Sequence, residues 1–153
     1  MTAIERLEAM AAIRQAKARY LRGVDTGDGN LVRSVLAADC VLDYRGCCTD
    51  PASGVDYLPQ MNIVMRGRDA WATDNLDGPR IVSAHHGHDH DISFADDGSA
   101  AMTCAFTDRL YMPPGAPYGV MVGFGYYHET YVREDGGWKI STLRIERIRV
   151  ETR

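Results

Sequence analysis

From residue 3 to residue 24 apolar side chains recur mostly every three or four positions: Ile4, Leu7, Met10, Ala11, Ile13, Ala16, Ala18, Tyr20, Leu21 and Val24. That spacing puts them on one face of an α-helix. Thr26-Gly27-Asp28-Gly29 stops it. A short second helix is predicted from about Asn30, which reads as its N-cap, with Leu31, Val32, Val35 and Leu36 turned inward. Residues 40–46 read as a first strand carrying Val41, Leu42 and Tyr44. Gly46 to Pro59 is rich in turn residues and long for a connector, the length typical of a functional or disordered loop. A third helix is predicted around Arg68 to Leu76, carrying Trp71 and ended by Gly78-Pro79.

Beyond residue 80 the pattern changes to that of strands. Four runs are predicted: Arg80 to Phe94, Ser99 to Met112, Val120 to Arg133 and Trp138 to Glu151. Ala95-Asp96-Asp97-Gly98, the Pro-rich Pro113 to Pro117, and Glu134-Asp135-Gly136-Gly137 separate them. Gly119, Gly123 and Gly125 in the third run mark a bend or a close backbone approach. In the last run the apolar phase slips between Ile140 and Leu143, which predicts a bulge. Helices first and antiparallel strands last predict an α+β fold: a curved sheet wrapped around N-terminal helices, enclosing a cone-shaped cavity.

At 153 residues the chain is expected to form one domain, residues 1–153. A net charge of −4 argues against nucleic-acid and anionic-membrane partners, which reward a basic face. No run of about 18 apolar residues suggests a transmembrane helix. Thr2-Ala3-Ile4-Glu5-Arg6 does not open like a secretory signal. Cys40, Cys47, Cys48 and Cys104 form no C-x-x-C pair, so they read as reduced thiols in a cytoplasmic protein.

Tyr20, Asp25, Tyr44, His85 and Asp108 make a set of two phenols, two carboxylates and one imidazole. Such a set suffices for acid–base chemistry without a cofactor or metal. Four of the five histidines crowd into His85-His86-Gly87-His88-Asp89-His90-Asp91. On a regular strand His86, His88 and His90 share one face, which keeps a metal-binding alternative open. The same regularity puts Ile92 and Phe94 opposite His85. An inward His85 therefore requires either a bulge after it or Ile92 and Phe94 facing an interface.

The order of elements resembles the nuclear transport factor 2-like (NTF2-like) fold. Within it the chain is similar to the SnoaL-like group, which includes scytalone dehydratase, bile-acid 7α-dehydratase and hexachlorocyclohexane dehydrochlorinase. The matching pieces are the stretch from Arg19 to Asp28, Ala38 to Tyr44, Ser83-Ala84-His85-His86, and Asp135 to Ile145. The resemblance covers nearly the whole chain. It places the shared aspartate at Asp25 and the shared histidine at His85. The bile-acid dehydratase pattern adds Tyr20, Tyr44 and Asp108. The second histidine of scytalone dehydratase has no counterpart near Asp108, which disfavours scytalone as substrate.

The resemblance implies a cofactor-independent dehydratase acting on a hydroxylated cyclic or polycyclic carbonyl compound, and a homo-oligomer, a trimer like the related dehydratases. In that reading His85 is the acid/base and Asp25 orients it. Tyr20 and Tyr44 donate to a substrate oxygen, and Asp108 is a second acid/base or binds a hydroxyl. Two alternatives remain open: an isomerase or polyketide cyclase using the same groups, and a non-catalytic binding or assembly subunit.

Overall fold

A computed structural model describes residues 1–71 and 80–153. Helix α1 spans Ala3–Thr26. Thr2 and Glu5 close a capping box at its start, each side chain bonded to the other's backbone N–H. Gly27 ends it in the left-handed region at φ 70°. Its buried stripe is Ala9, Ile13, Ala16, Lys17, Tyr20, Leu21 and Gly23. Ile4 and Leu7, expected inside, are 70% and 66% exposed. Helix α2 spans Gly29–Ser34, and its N-cap is Asp28 rather than Asn30: the Asp28 carboxylate accepts from the Leu31 N–H. A Cβ at Gly23 would sit 2.7 Å from Val32 Cγ2, so glycine lets the two helices meet.

The strands are β1 Leu36–Asp43, β2 Val64–Arg66, β3 Val82–Phe94, β4 Ala100–Tyr111, β5 Val120–Glu134 and β6 Gly137–Thr152. They form one sheet in the order β2-β1-β6-β5-β4-β3. All neighbours are antiparallel except β1 and β6, which run parallel. The sheet is therefore mixed, and its last strand lies inside it. The short β2 was not legible in the sequence. Of the predicted third helix, the described residues hold a 3-10 turn at Arg68–Ala70 followed by an extended Trp71; the remainder of that segment and Gly78-Pro79 lie outside the described residues.

Two predicted irregularities are present. Thr130 pairs with Thr142 and Tyr131 with Ile140, so Ser141 is the extra residue between Ile140 and Leu143. In β3 the register breaks between His88 and His90, around Asp89 at φ 51°. Before the break His85 and Gly87 lie opposite Asp108 and Phe106; after it His90 and Ile92 lie opposite Cys104 and Met102. Asp108, Phe106, Cys104 and Met102 are all buried on one face. The bulge thus puts His85 on the same side as Ile92. It also separates His90 from the exposed His86 and His88, so the single-face histidine triplet of the metal alternative does not form.

The long connector is packed rather than loose. Cys47, Cys48, Asp50 and Leu58 are buried. Asp50 accepts from the Val150 N–H at 3.2 Å and Arg149 at 3.4 Å, and Tyr118 donates to the Tyr57 carbonyl at 2.7 Å.

Candidate active site

Asp25 stands in the last turn of α1, and β3 passes beside it. The His85 Nδ1 lies 2.6 Å from Asp25 Oδ1. The His85 backbone N–H donates to Oδ2 at 2.9 Å, and the Ser83 hydroxyl donates to Oδ1 at 2.8 Å. Burial pushes the Asp25 carboxyl up, but the hydrogen bonds from His85 and Ser83 together outweigh it and hold it below the usual range. An ionised carboxylate only accepts, so the proton of this contact belongs on Nδ1, and Nε2 of the neutral ring keeps its lone pair.

Nε2 faces Asp108 Oδ2 at 3.8 Å, beyond hydrogen-bond reach. Asp108 is not paired with its neighbour Arg109. Arg147 on β6 grips it with two bonds of 2.7 Å, Nη1 to Oδ1 and Nη2 to Oδ2. The Arg147 Nε donates to the Cys47 carbonyl, and the guanidinium lies 4.8 Å from the Phe106 ring centroid. Burial opposes the arginine's charge, but Asp108 more than restores it. A buried carboxylate held this way keeps its charge compensated within the site.

Sequence reasoning missed Arg147. The signal was faint: a second register shift, between Phe124 and Gly125, leaves Ile148 unpaired and re-aims the strand. The glycines opposite are part of the same device. A Cβ on Gly123 would lie 2.8 Å from Arg147 Nη1, and one on Gly125 would lie 1.9 Å from the Glu146 carbonyl oxygen. Both make room for the arginine's strand, as the close-approach reading anticipated.

Tyr20 from α1 and Tyr44, just after β1, meet hydroxyl to hydroxyl at 2.6 Å. Both are buried, and Trp71 packs against both rings, at 6.0 and 6.2 Å. Burial raises both phenols well above their ordinary range, so they stay protonated. One proton serves their mutual bond; the other is available to a further acceptor. Tyr127 is electrostatically coupled to both groups. Its ring packs 4.5 Å from Phe106, and its buried phenol feels the charges and dipoles of both, Tyr20 as well as Asp108 and Arg147.

Beneath this layer lies a second pair absent from the sequence reading. Lys17 Nζ contacts Glu129 Oε1 at 2.6 Å, and the Tyr131 hydroxyl donates to Oε2 at 2.6 Å. Lys17 lies 3.1 Å from the Tyr127 ring centroid. Its position on the apolar stripe, four residues after Ile13 and three before Tyr20, was the available clue.

Helices laid across an open mixed sheet, with titratable groups gathered on the inner face, define the NTF2-like cone fold. Residues 5–144 match the SnoaL-like domain, and the chain belongs to that family. Among solved structures it is similar to a putative scytalone dehydratase from Novosphingobium aromaticivorans, at 21% identity and TM-score 0.75, covering 98% of this chain and 91% of that one. It is also similar to a hexachlorocyclohexane dehydrochlorinase from Novosphingobium barchaimii, at 19% identity and TM-score 0.75, covering 99% and 94%. No curated protein sequence matches the chain.

Proposed function

We propose that this protein is a cofactor-independent lyase that removes water from a hydroxylated cyclic or polycyclic carbonyl compound. The observation that carries the reading is the 2.6 Å contact of His85 Nδ1 with Asp25, which leaves Nε2 directed toward the Asp108–Arg147 pair. The names of the similar structures, a dehydratase and a dehydrochlorinase, favour elimination. In this mechanism Nε2 takes the proton next to the carbonyl. The C–H electrons move toward the carbonyl oxygen, and the free phenol proton of the Tyr20–Tyr44 pair meets the developing charge. Return of the electrons forms the C=C bond and expels hydroxide. The His85 imidazolium returns its proton to that oxygen, so water leaves and the ring is neutral again. Asp25 stabilises the transient imidazolium. Asp108, its charge compensated by Arg147, adds polarity beside Nε2.

The test is a panel of cyclic hydroxy-ketones scored by mass for loss of one water. His85→Gln is expected to lower kcat on the order of 10²–10⁴-fold. Tyr20→Phe and Tyr44→Phe are expected to lower it about 10²-fold each. Products of unchanged mass would instead indicate an isomerase, and tight binding without turnover a binding subunit. The reading also places the protein in the cytoplasm as a homotrimer. Its four free cysteines and the exposed Phe124, Tyr126 and Ile148 support this, and light scattering gives the mass. Among the described residues no helix is long and apolar enough to cross a membrane.

A further inference from the structure

Cys47 and Cys48 are both buried free thiols, with their sulfurs 3.6 Å apart. All four cysteines lie within the described residues, and this is the only sulfur–sulfur contact among them. Adjacent side chains of an extended segment point to opposite sides. Here the chain turns: the Cys47 N–H donates to the Tyr44 carbonyl, and Gly46 sits at φ 74°. Both sulfurs therefore fall on one side. The segment is pinned by the Arg147 Nε to the Cys47 carbonyl and by the Tyr57 N–H to the Cys48 carbonyl at 3.1 Å.

This geometry is poor for a disulfide. Neighbouring Cα atoms across a trans peptide are about 3.8 Å apart, short of the roughly 4.4–6.8 Å that disulfides span. It suits two sulfurs sharing one soft atom. Two sulfurs on one pyramidal arsenic(III) centre, whose S–As–S angle is close to a right angle, come within van der Waals contact of each other, as these two already are at 3.6 Å. The electrostatics agree: the Cys48 thiol and the Arg147 guanidinium favour a thiolate at Cys47, against burial.

We propose that Cys47 and Cys48 form a bidentate site for trivalent arsenicals. With a monosubstituted arsenic(III) oxide, two S–H bonds break and two S–As bonds form. The arsenic–oxygen bond is lost, one water leaves, and arsenic stays trivalent. The proposal does not depend on the lyase reading, since its readout is mass.

The probe is phenylarsine oxide added to native protein, followed by intact mass, thiol titration and thermal unfolding. One arsenic per chain is expected, with loss of two titratable thiols. The adduct should survive excess 2-mercaptoethanol and reverse with a dithiol. Cys47→Ser and Cys48→Ser should each abolish that retention, while Cys40→Ser and Cys104→Ser should keep it. Binding to the folded state raises the unfolding temperature. Retention in either Cys47→Ser or Cys48→Ser would overturn the assignment. So would uptake seen only after denaturation, or a native mass two hydrogens light from a Cys47–Cys48 disulfide.

Discussion

At the scale of single residues, the proposed chemistry rests on which atoms are already occupied. Asp25 receives three hydrogen bonds, two from His85 and one from Ser83. Its depressed folded pKa means that its stabilising contribution is present above the unfolded value near 3.8 and is lost as pH falls through the folded one. Asp25→Asn is therefore expected to flatten the acid limb of stability below about pH 5, measured by urea midpoints at successive pH values. The same variant should lower kcat on the order of 10²-fold or more, since an amide cannot hold the Nδ1–H tautomer as a carboxylate does. Arg147 offers a second check. Arg147→Met leaves Asp108 buried and unpaired, with an expected loss of about 3–5 kcal/mol. Gly123→Ala introduces a methyl 2.8 Å from Nη1 and 2.9 Å from the Arg149 carbonyl oxygen, and should also destabilise the protein in chemical denaturation, though both charges remain.

At the scale of elements, the decisive feature is the bulge at Asp89. Because side chains alternate along a strand, one extra residue exchanges the faces. Deleting Asp89 forces a choice between burying Ile92 and directing His85 inward. Such a variant should fold poorly or lose activity, by circular dichroism and turnover. Asp89→Gly relieves the positive φ and should retain both. The sequence showed that His85, Ile92 and Phe94 were out of phase, which left a bulge and an interface both open; the structure has the bulge, at a position the sequence did not mark. Other signals were equally uneven. Gly27 and Asp135-Gly136 fixed a helix end and a hairpin, because left-handed backbone has few suitable residues. The five expected site residues were legible through resemblance, and the structure joins Asp25, His85 and Asp108 in one group and Tyr20 with Tyr44 in another. Arg147 was not legible, because its inward direction depends on a bulge and on glycines of the neighbouring strand. The short β2 has too few residues to show a period.

At the scale of the whole molecule, the core contains charges that a simple hydrophobic count leaves out. Lys17, 1% exposed, and Glu129, 3% exposed, join α1 to β5 under the tyrosine layer. Burial alone lowers the lysine's pKa, and Glu129 only partly restores it. Lys17→Met should cost about 3–5 kcal/mol by stranding the glutamate. Replacing the group together, as Lys17→Met, Glu129→Leu and Tyr131→Phe, should be neutral or stabilising in urea unfolding.

The parallel pairing of β6 with β1 has a consequence for biosynthesis. The strand that bridges the two halves of the sheet is made after the other five, and it pairs with residues about a hundred positions earlier. On the ribosome β1 and β2 must wait without their main partner until β6 emerges. The interior seat of β6 is therefore a vacancy in every shorter nascent chain, and during that interval the apolar edge of β1 is the surface a chaperone would be expected to shield.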